Sequence, residues 1–232
     1  MNPKDHVGIH LSDAVGRIAQ QMQQITVQVR GSRGRQGSGT AWPLTPVPQL
    51  LFARNLDGYL ALSTSKSRPA FEQEMTGELR NRFSGLIVTC AHVADAQVHD
   101  VIFSDGQRVP GWVVARDPDV DLAALAVSAR PPAVAHIRSA CGLRAGDVVL
   151  ASGNPNGDTG AITTGIVHHA AGQSPCLFAD IRLAPGNSGG PLADATGAIV
   201  GVNSMIINGL GCAVTSDTVE RFLRRFHLAE AA

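Results

Sequence analysis

Pro185-Gly186-Asn187-Ser188-Gly189-Gly190-Pro191-Leu192 is the stretch on which the reading of this chain turns. A serine hydroxyl is a weak nucleophile until a base takes its proton and hydrogen-bond donors stabilise the oxyanion that its attack creates. Glycines on both sides of Ser188 permit a tight backbone turn that bulkier residues would strain. Such a turn presents the hydroxyl and aims the amides of Gly186 and Ser188 at one point. The plain alternative is a glycine-rich β-turn without chemistry, and this stretch alone does not exclude it.

Two upstream segments supply what the serine lacks. Val88-Thr89-Cys90-Ala91-His92-Val93 sets a histidine just past an apolar run, where the neutral imidazole needed by a general base is favoured. Asp117-Pro118-Asp119-Val120-Asp121-Leu122-Ala123 brings Asp121 to the edge of another apolar run, where its carboxylate can accept a hydrogen bond from the histidine and hold its tautomer. Taken singly, His92 reads as a structural histidine and Asp121 as a turn aspartate. Taken together they stand in the chain order His92, Asp121, Ser188, which is the chymotrypsin order and differs from the subtilisin and α/β-hydrolase orders.

Around these segments lie short apolar runs at the spacing of an all-β protein. Ile25–Val29 alternates, and Gly39–Trp42, Leu86–Thr89, Val98–Phe103, Val109–Ala115 and Leu122–Val127 follow. After a linker with Pro131 and Pro132 come Val148–Ser152, Ile162–Val167, Leu177–Ile181, Ile199–Asn203 and Cys212–Val214. Two such sets predict two packed barrels or sandwiches, over residues 1–130 and 131–232. Ser12 is the expected cap of a short opening helix with Leu11, Val15, Ile18 and Met22 on one face. Asp217, with Glu220 three residues on, is the expected cap of a closing helix whose stripe is Val219, Phe222, Leu223 and Phe226. Residues 43–84 break the rhythm with four prolines (Pro43, Pro46, Pro48, Pro69) and read as an insertion within the first barrel.

Composition bounds the rest. The chain has 232 residues, 44% apolar and 16% charged, with 25 glycines and 13 prolines that suit many turns. Its 19 basic and 19 acidic side chains balance, which argues against a nucleic-acid or polybasic membrane partner. No signal peptide and no apolar run long enough to span a bilayer is evident, so the expectation is a cytoplasmic protein, or a periplasmic one if a leader has been removed. Cys90, Cys141, Cys176 and Cys212 lack metal-ligand spacing and read as buried free thiols, with one disulfide as the alternative. His168-His169 reads as a surface pair rather than a metal site.

With these residues in view, the chain resembles the protease domain of the HtrA (Deg) branch of trypsin-like serine proteases. Matching stretches include Gly37-Ser38-Gly39-Thr40, Thr89-Cys90-Ala91-His92-Val93, Asp121-Leu122-Ala123, Leu143-Arg144-Ala145-Gly146-Asp147 and Ser152-Gly153-Asn154-Pro155. Thr164-Gly165-Ile166-Val167, Pro185–Leu192 and Gly201-Val202-Asn203 complete a set covering about residues 12–226 apart from the insertion. The resemblance implies two antiparallel six-stranded β-barrels and a serine endopeptidase needing no cofactor or metal, acting on extended or unfolded polypeptide. It assigns His92, Asp121 and Ser188 to the triad and Gly186, Asn187 and Ser188 to the oxyanion hole. Asn203, Ser204 and Met205 become the edge strand that pairs with substrate by β-addition, and Leu183 and Met205 walls of the primary specificity pocket.

The chain also departs from that branch. Its end at Ala232 leaves no PDZ domain, so control by such a domain is not expected and trimer formation is put in doubt. Cys90 stands where asparagine is common. Arg182 stands where a small residue is usual, and an arginine there either selects acidic side chains or faces solvent. Asn187 replaces the aspartate that captures a new N-terminus in zymogen-activated trypsins, which points to control by loop ordering. Two other functions compete: a latent protease fold serving as a peptide-binding or chaperone-like module, and a protease dedicated to one partner docked on the insertion.

Overall fold

The first strand follows from its alternation. In β1 (Thr26–Arg30) Val27 and Val29 are buried to 1% and 0% exposure, and β2 (Gln36–Trp42) pairs with it antiparallel through Val27↔Gly39 and Val29↔Gly37. β3 (Gly85–Thr89), β4 (Val98–Ile102), β5 (Arg108–Asp117) and β6 (Leu122–Val127) complete the sheet in the order β1-β2-β3-β6-β5-β4. β4 returns to pair with β1, so the sheet closes into a barrel and leaves no edge. All six residues of β6 are buried, as a strand covered on both faces requires.

A second closed barrel follows. It contains β7 (Val148–Gly153), β8 (Ala161–Val167), β9 (Cys176–Asp180), β10 (Pro191–Asp194), β11 (Ile199–Ile207) and β12 (Leu210–Thr215). Their order is β10-β11-β12-β9-β8-β7, with β7 closing on β10 through Leu192↔Ala151. The chain is thus all-β, built of two six-stranded antiparallel barrels. β10 is absent from the strands expected from sequence, because it is four residues long and buried in the tail of the glycine motif. A bulge in β11 lets Asn203 pair with Ala213 and Met205 with Cys212, leaving Ser204 as the extra residue. Bulges of this kind re-aim a side chain beside a site.

These features come from a computed structural model that describes residues 3–31, 34–43, 83–157, 159–169, 172, 174–226 and 228–229. The expected insertion at 43–84 lies outside the described residues except for its two ends. The opening helix α1 runs Pro3–Ile25, so Ser12 lies inside it and is not its cap; proline is well suited to a first helical turn. Ile18, Met22 and Ile25 form its buried stripe. The closing helix α2 runs Ser216–Arg225, and Thr215, not Asp217, caps it by accepting a hydrogen bond from the Thr218 amide. The Asp217 carboxylate accepts instead from the Ala140 amide at 2.8 Å. Val219, Phe222 and Leu223 are buried as expected, and Phe226 packs partly buried beside them. Among the described residues no helix is long and apolar enough to cross a membrane. All four cysteines are free thiols, Cys90 and Cys212 buried, Cys176 half-buried and Cys141 exposed.

Buried polar groups join the two barrels. Thr26 Oγ1 donates to Met22 O at 2.7 Å and pairs with the Ser152 hydroxyl at 2.8 Å, accepting its hydrogen bond. The Asn154 amide group donates to Val27 O (3.0 Å) and Ser38 Oγ (3.0 Å), while its carbonyl oxygen accepts from Gly160 N (3.0 Å). Groups of this kind must be paired once water is excluded, so they fix how one barrel sits on the other.

Candidate active site

The backbone of the glycine motif is forced, residue by residue. Gly186 has φ +104°, and a Cβ there would stand 2.4 Å from Asn154 O. Gly189 has φ +91°, and a Cβ there would stand 1.9 Å from Ser38 O. Both the positive φ and the missing side chain are therefore needed. The carbonyl oxygens are turned away and tied down: Ser38 Oγ donates to Gly186 O at 2.7 Å, and Ser38 N donates to Ser188 O at 2.8 Å. The amides of Gly186 and Ser188 have no partner among the described residues. Asn187 lies between them, buried, with its amide donating to Ala184 O and its side-chain oxygen unpartnered.

His92 sits in the turn that follows β3. This turn is closed by Val93 N and Ala94 N donating to Cys90 O, and braced by the Arg116 guanidinium, which donates twice to Ala91 O. Asp121 closes the turn between β5 and β6 with φ +55°, a conformation aspartate tolerates better than most residues. Its carboxylate accepts from His92 Nδ1 at 2.9 Å, from the His92 backbone amide at 3.1 Å and from Ser204 Oγ at 2.5 Å. Burial pushes the Asp121 pKa up, but the hydrogen bonds from His92 and Ser204 outweigh it and hold the carboxyl below its ordinary value. With Asp121 ionised, Nδ1 carries the imidazole proton and Nε2 is left as the basic nitrogen. The histidine side chain is 49% exposed and the aspartate 16%, so the base opens to the cleft and its carboxylate lies behind it.

Ser188 is the third member of this cluster, and its hydroxyl donates to the Ser204 carbonyl at 2.7 Å. Among the described residues no hydrogen bond joins it to His92. Ser204, displaced by the β11 bulge, therefore touches Asp121 through its side chain and Ser188 through its backbone. Beneath them Cys90 is fully buried; burial, aided by the Asp121 charge, pushes its thiol pKa well up, and the thiol donates to Asn203 O at 3.2 Å. Cys90 Sγ, a His92 ring nitrogen and an Asp121 oxygen all lie within 4.8 Å of one another.

A cleft of about 550 Å³ collects these groups. His92, Asp121, Asn187 and Ser188 line one part of it, and Leu183, Ala184, Ser204, Met205 and Ile206 another. Gly186 lies at the back of the same turn. Two residues expected at the site are positioned otherwise. The Asn203 backbone is already committed, its carbonyl accepting from Gly189 N and its amide donating to Gly190 O, while its side chain donates to Ser152 O and Pro191 O. The strand edge open to a peptide thus begins after Asn203, where pairing with β10 has ended and only β12 is bonded. Arg182 is exposed and its side chain does not line the cleft.

Sequence reasoning overlooked Ser38, Asn154 and Ile206. Ser38 and Asn154 belong to stretches singled out for resemblance, but nothing in their spacing reveals that they clamp the Gly186 carbonyl. Ile206 follows directly on the expected edge strand, and only the end of the β10 pairing shows that the edge reaches it.

Comparison with known proteins agrees with this geometry. A trypsin-like peptidase domain family matches residues 77–202, more than half of the chain. A probable periplasmic serine endoprotease DegP-like from Chlamydia pneumoniae is 31% identical over 164 residues, covering 66% of this chain and 33% of that protein. A protein of the same description from Pseudomonas fulva is 37% identical over 135 residues, 55% of this chain and 28% of its own. The mitochondrial serine protease HTRA2 of Drosophila erecta is 32% identical over 156 residues, 61% of this chain and 37% of its own. The chain thus spans about a third of the length of these curated relatives. Two closed barrels, a histidine–aspartate pair on one, a glycine-framed serine on the other and a matching family over 77–202 lead to one assignment: the chain belongs to the trypsin-like peptidase family.

Proposed function

We propose that this protein is a serine endopeptidase that cleaves extended or unfolded polypeptide through an acyl-enzyme. The observation that carries the reading is the meeting, in one cleft, of the His92–Asp121 pair and Ser188, on a turn whose Gly186 and Ser188 amides have no partner among the described residues. The peptide would lie along the free edge of β11 from Met205, adding a strand to it. The Ser188 hydroxyl leaves the Ser204 carbonyl, turns to Nε2 of His92 and gives up its proton as Oγ attacks the scissile carbonyl. The amides of Gly186 and Ser188 stabilise the resulting oxyanion. Asp121 supports the imidazolium, which then protonates the leaving amine, and a water repeats the sequence to free the acyl group. Leu183, Met205 and Ile206 offer apolar contact, which suits a small or medium apolar residue before the cut.

One observation favours a second reading. The Ser188 hydroxyl is bonded to Ser204 O and not to the base, an arrangement that suits a latent site binding peptide without turnover until it is reorganised. Labelling with a fluorophosphonate probe, with the modified peptide identified by mass spectrometry, separates the two. The peptidase reading expects labelling at Ser188, reduced by several orders of magnitude in His92→Ala. A folded protein that binds peptide but never labels would replace it with the latent reading. Cleavage of denatured casein would then tell a general peptidase from one dedicated to a single partner.

A further inference from the structure

Two cysteines of the second barrel, Cys176 and Cys212, stand on neighbouring strands. Cys212 on β12 is the register partner of Phe178 on β9, and Cys176 is the partner of Val214. Cys176 and Cys212 are therefore diagonal neighbours on the same face of the pair, opposite to Leu177 and Ala213, which point into the barrel core. This diagonal placement brings the two thiols near enough for each to influence the other's titration. Cys212 is also the register partner of Met205, the residue that follows Ser204 on the peptide-facing strand. Half-buried Cys176 is the more accessible of the two, and buried Cys212 lies behind it.

The two thiols are also unequal. Hydrogen bonding from the Cys212 thiol pulls the Cys176 pKa down to about 7, while the same contact and burial push Cys212 up. A partly exposed thiol with a lowered pKa beside a second thiol is the arrangement that a two-electron oxidant exploits. Cys141 has a carbonyl but no thiol beside it, and Cys90 is buried and protonated.

We propose that Cys176 and Cys212 form a peroxide-sensitive dithiol whose oxidation to a disulfide alters the peptide-binding strand. The oxidant is a hydroperoxide. The Cys176 thiolate attacks one peroxide oxygen, so that an S–O bond forms, the O–O bond breaks and the departing hydroxide leaves as water after taking a proton. Cys212 then attacks the sulfenic sulfur, losing its proton as the S–S bond forms and a second water departs. Two electrons pass from the thiols to the peroxide. Diagonal partners in an antiparallel pair have Cα atoms about 7–8 Å apart, beyond the usual reach of a disulfide, so closing the bond must shift β12 against β9. That shift reaches Met205, Ile206 and Ile207 through their pairing with β12. A bond closed under such strain is readily reduced again.

The experiment treats the whole chain with hydrogen peroxide, alkylates the remaining thiols and maps the peptides by mass spectrometry. The expected product joins the Cys176 and Cys212 peptides, consumes two of the four thiols and reverts with dithiothreitol. Cys212→Ser is expected to leave Cys176 as a sulfenic acid that dimedone traps, and Cys141→Ser to change nothing. Absence of the joined peptides in the wild type, or consumption of Cys141 before Cys176, would overturn the proposal. The effect on turnover rests on the peptidase reading. There the oxidised protein is expected to show a severalfold rise in KM for an extended peptide, while Ser188 still labels with fluorophosphonate. A bridge that forms with KM unchanged overturns the link to the binding strand. A protein that never labels counts against the peptidase reading alone, since the peptide map still decides the dithiol.

Discussion

Asp121 concentrates the electrostatics of the site. It is mostly buried, yet three donors from two barrels hold it ionised: the Nδ1 and the backbone amide of His92, and the Ser204 hydroxyl. A carboxyl whose folded pKa is lowered binds fewer protons folded than unfolded, so its stabilisation is complete above the unfolded value of about 3.9 and disappears as pH falls through the folded one. Ser204→Ala removes one of the donors and returns the pKa part of the way. The expected cost is about 1–2 kcal/mol at neutral pH, as for a hydrogen bond to a charged group. That difference from wild type should shrink as pH drops through the acid range, measured by urea unfolding at a series of pH values. A cost independent of pH would mean that the hydroxyl packs against Asp121 without supporting its charge. The chain order pointed to His92, Asp121 and Ser188 as a group, and the three line one cleft; the glycines beside Ser188 announced a special backbone. The partner of the Ser188 hydroxyl was not legible there, because it depends on one torsion and on a bulge in a strand remote in sequence.

At the scale of elements, short apolar runs bounded by turn residues located most strands, and those of β3 and β6 are continuous because every residue in them is buried. What escaped was local and short. β10 has four residues, all buried, and so shows no alternation to read. The start of α1 was placed at Ser12 on capping chemistry, whereas the helix continues back to Pro3 with that serine inside it. At α2 the cap expected at Asp217 lies two residues earlier, and only the backbone shows it: Thr215 is extended at φ −65°, ψ 148°, and its Oγ1 accepts from Thr218 N, while Asp217 lies within the first turn. There the aspartate favours the positive end of the helix dipole and also anchors Ala140. Thr215→Ala is expected to cost about 1 kcal/mol through loss of the cap, read from the shift in urea midpoint at unchanged slope. An unchanged midpoint would show that Asp217 takes over the capping.

The proposed site exists only if the two barrels hold together, since His92 and Asp121 come from the first and Ser188 from the second. The apolar cluster runs through both, from Val27 and Leu86 in the first barrel to Leu150, Val202 and Val214 in the second. The polar seam is equally shared: Thr40 Oγ1 donates to Gly189 O at 3.0 Å, Ser38 Oγ to Gly186 O, and Asn154 Nδ2 to Val27 O. Opening that seam would strip partners from buried groups on both sides at once, a penalty of about 1–3 kcal/mol for each group left unpaired. The barrels should therefore unfold together rather than in turn. The chain offers a clean test, because its two tryptophans, Trp42 and Trp112, both report on the first barrel. Cys212, buried in the second, reports on the other when its thiol is pulse-alkylated under reducing conditions and quantified by peptide mass spectrometry. Across a urea series, tryptophan emission and Cys212 alkylation are expected to share one midpoint. If Cys212 became reactive at a urea concentration where the tryptophans were still buried, the second barrel would be the weaker half. Formation of the turn from Gly186 to Gly190, the proposed oxyanion hole, would then be the step most exposed to loss, since all of its glycines belong to that half.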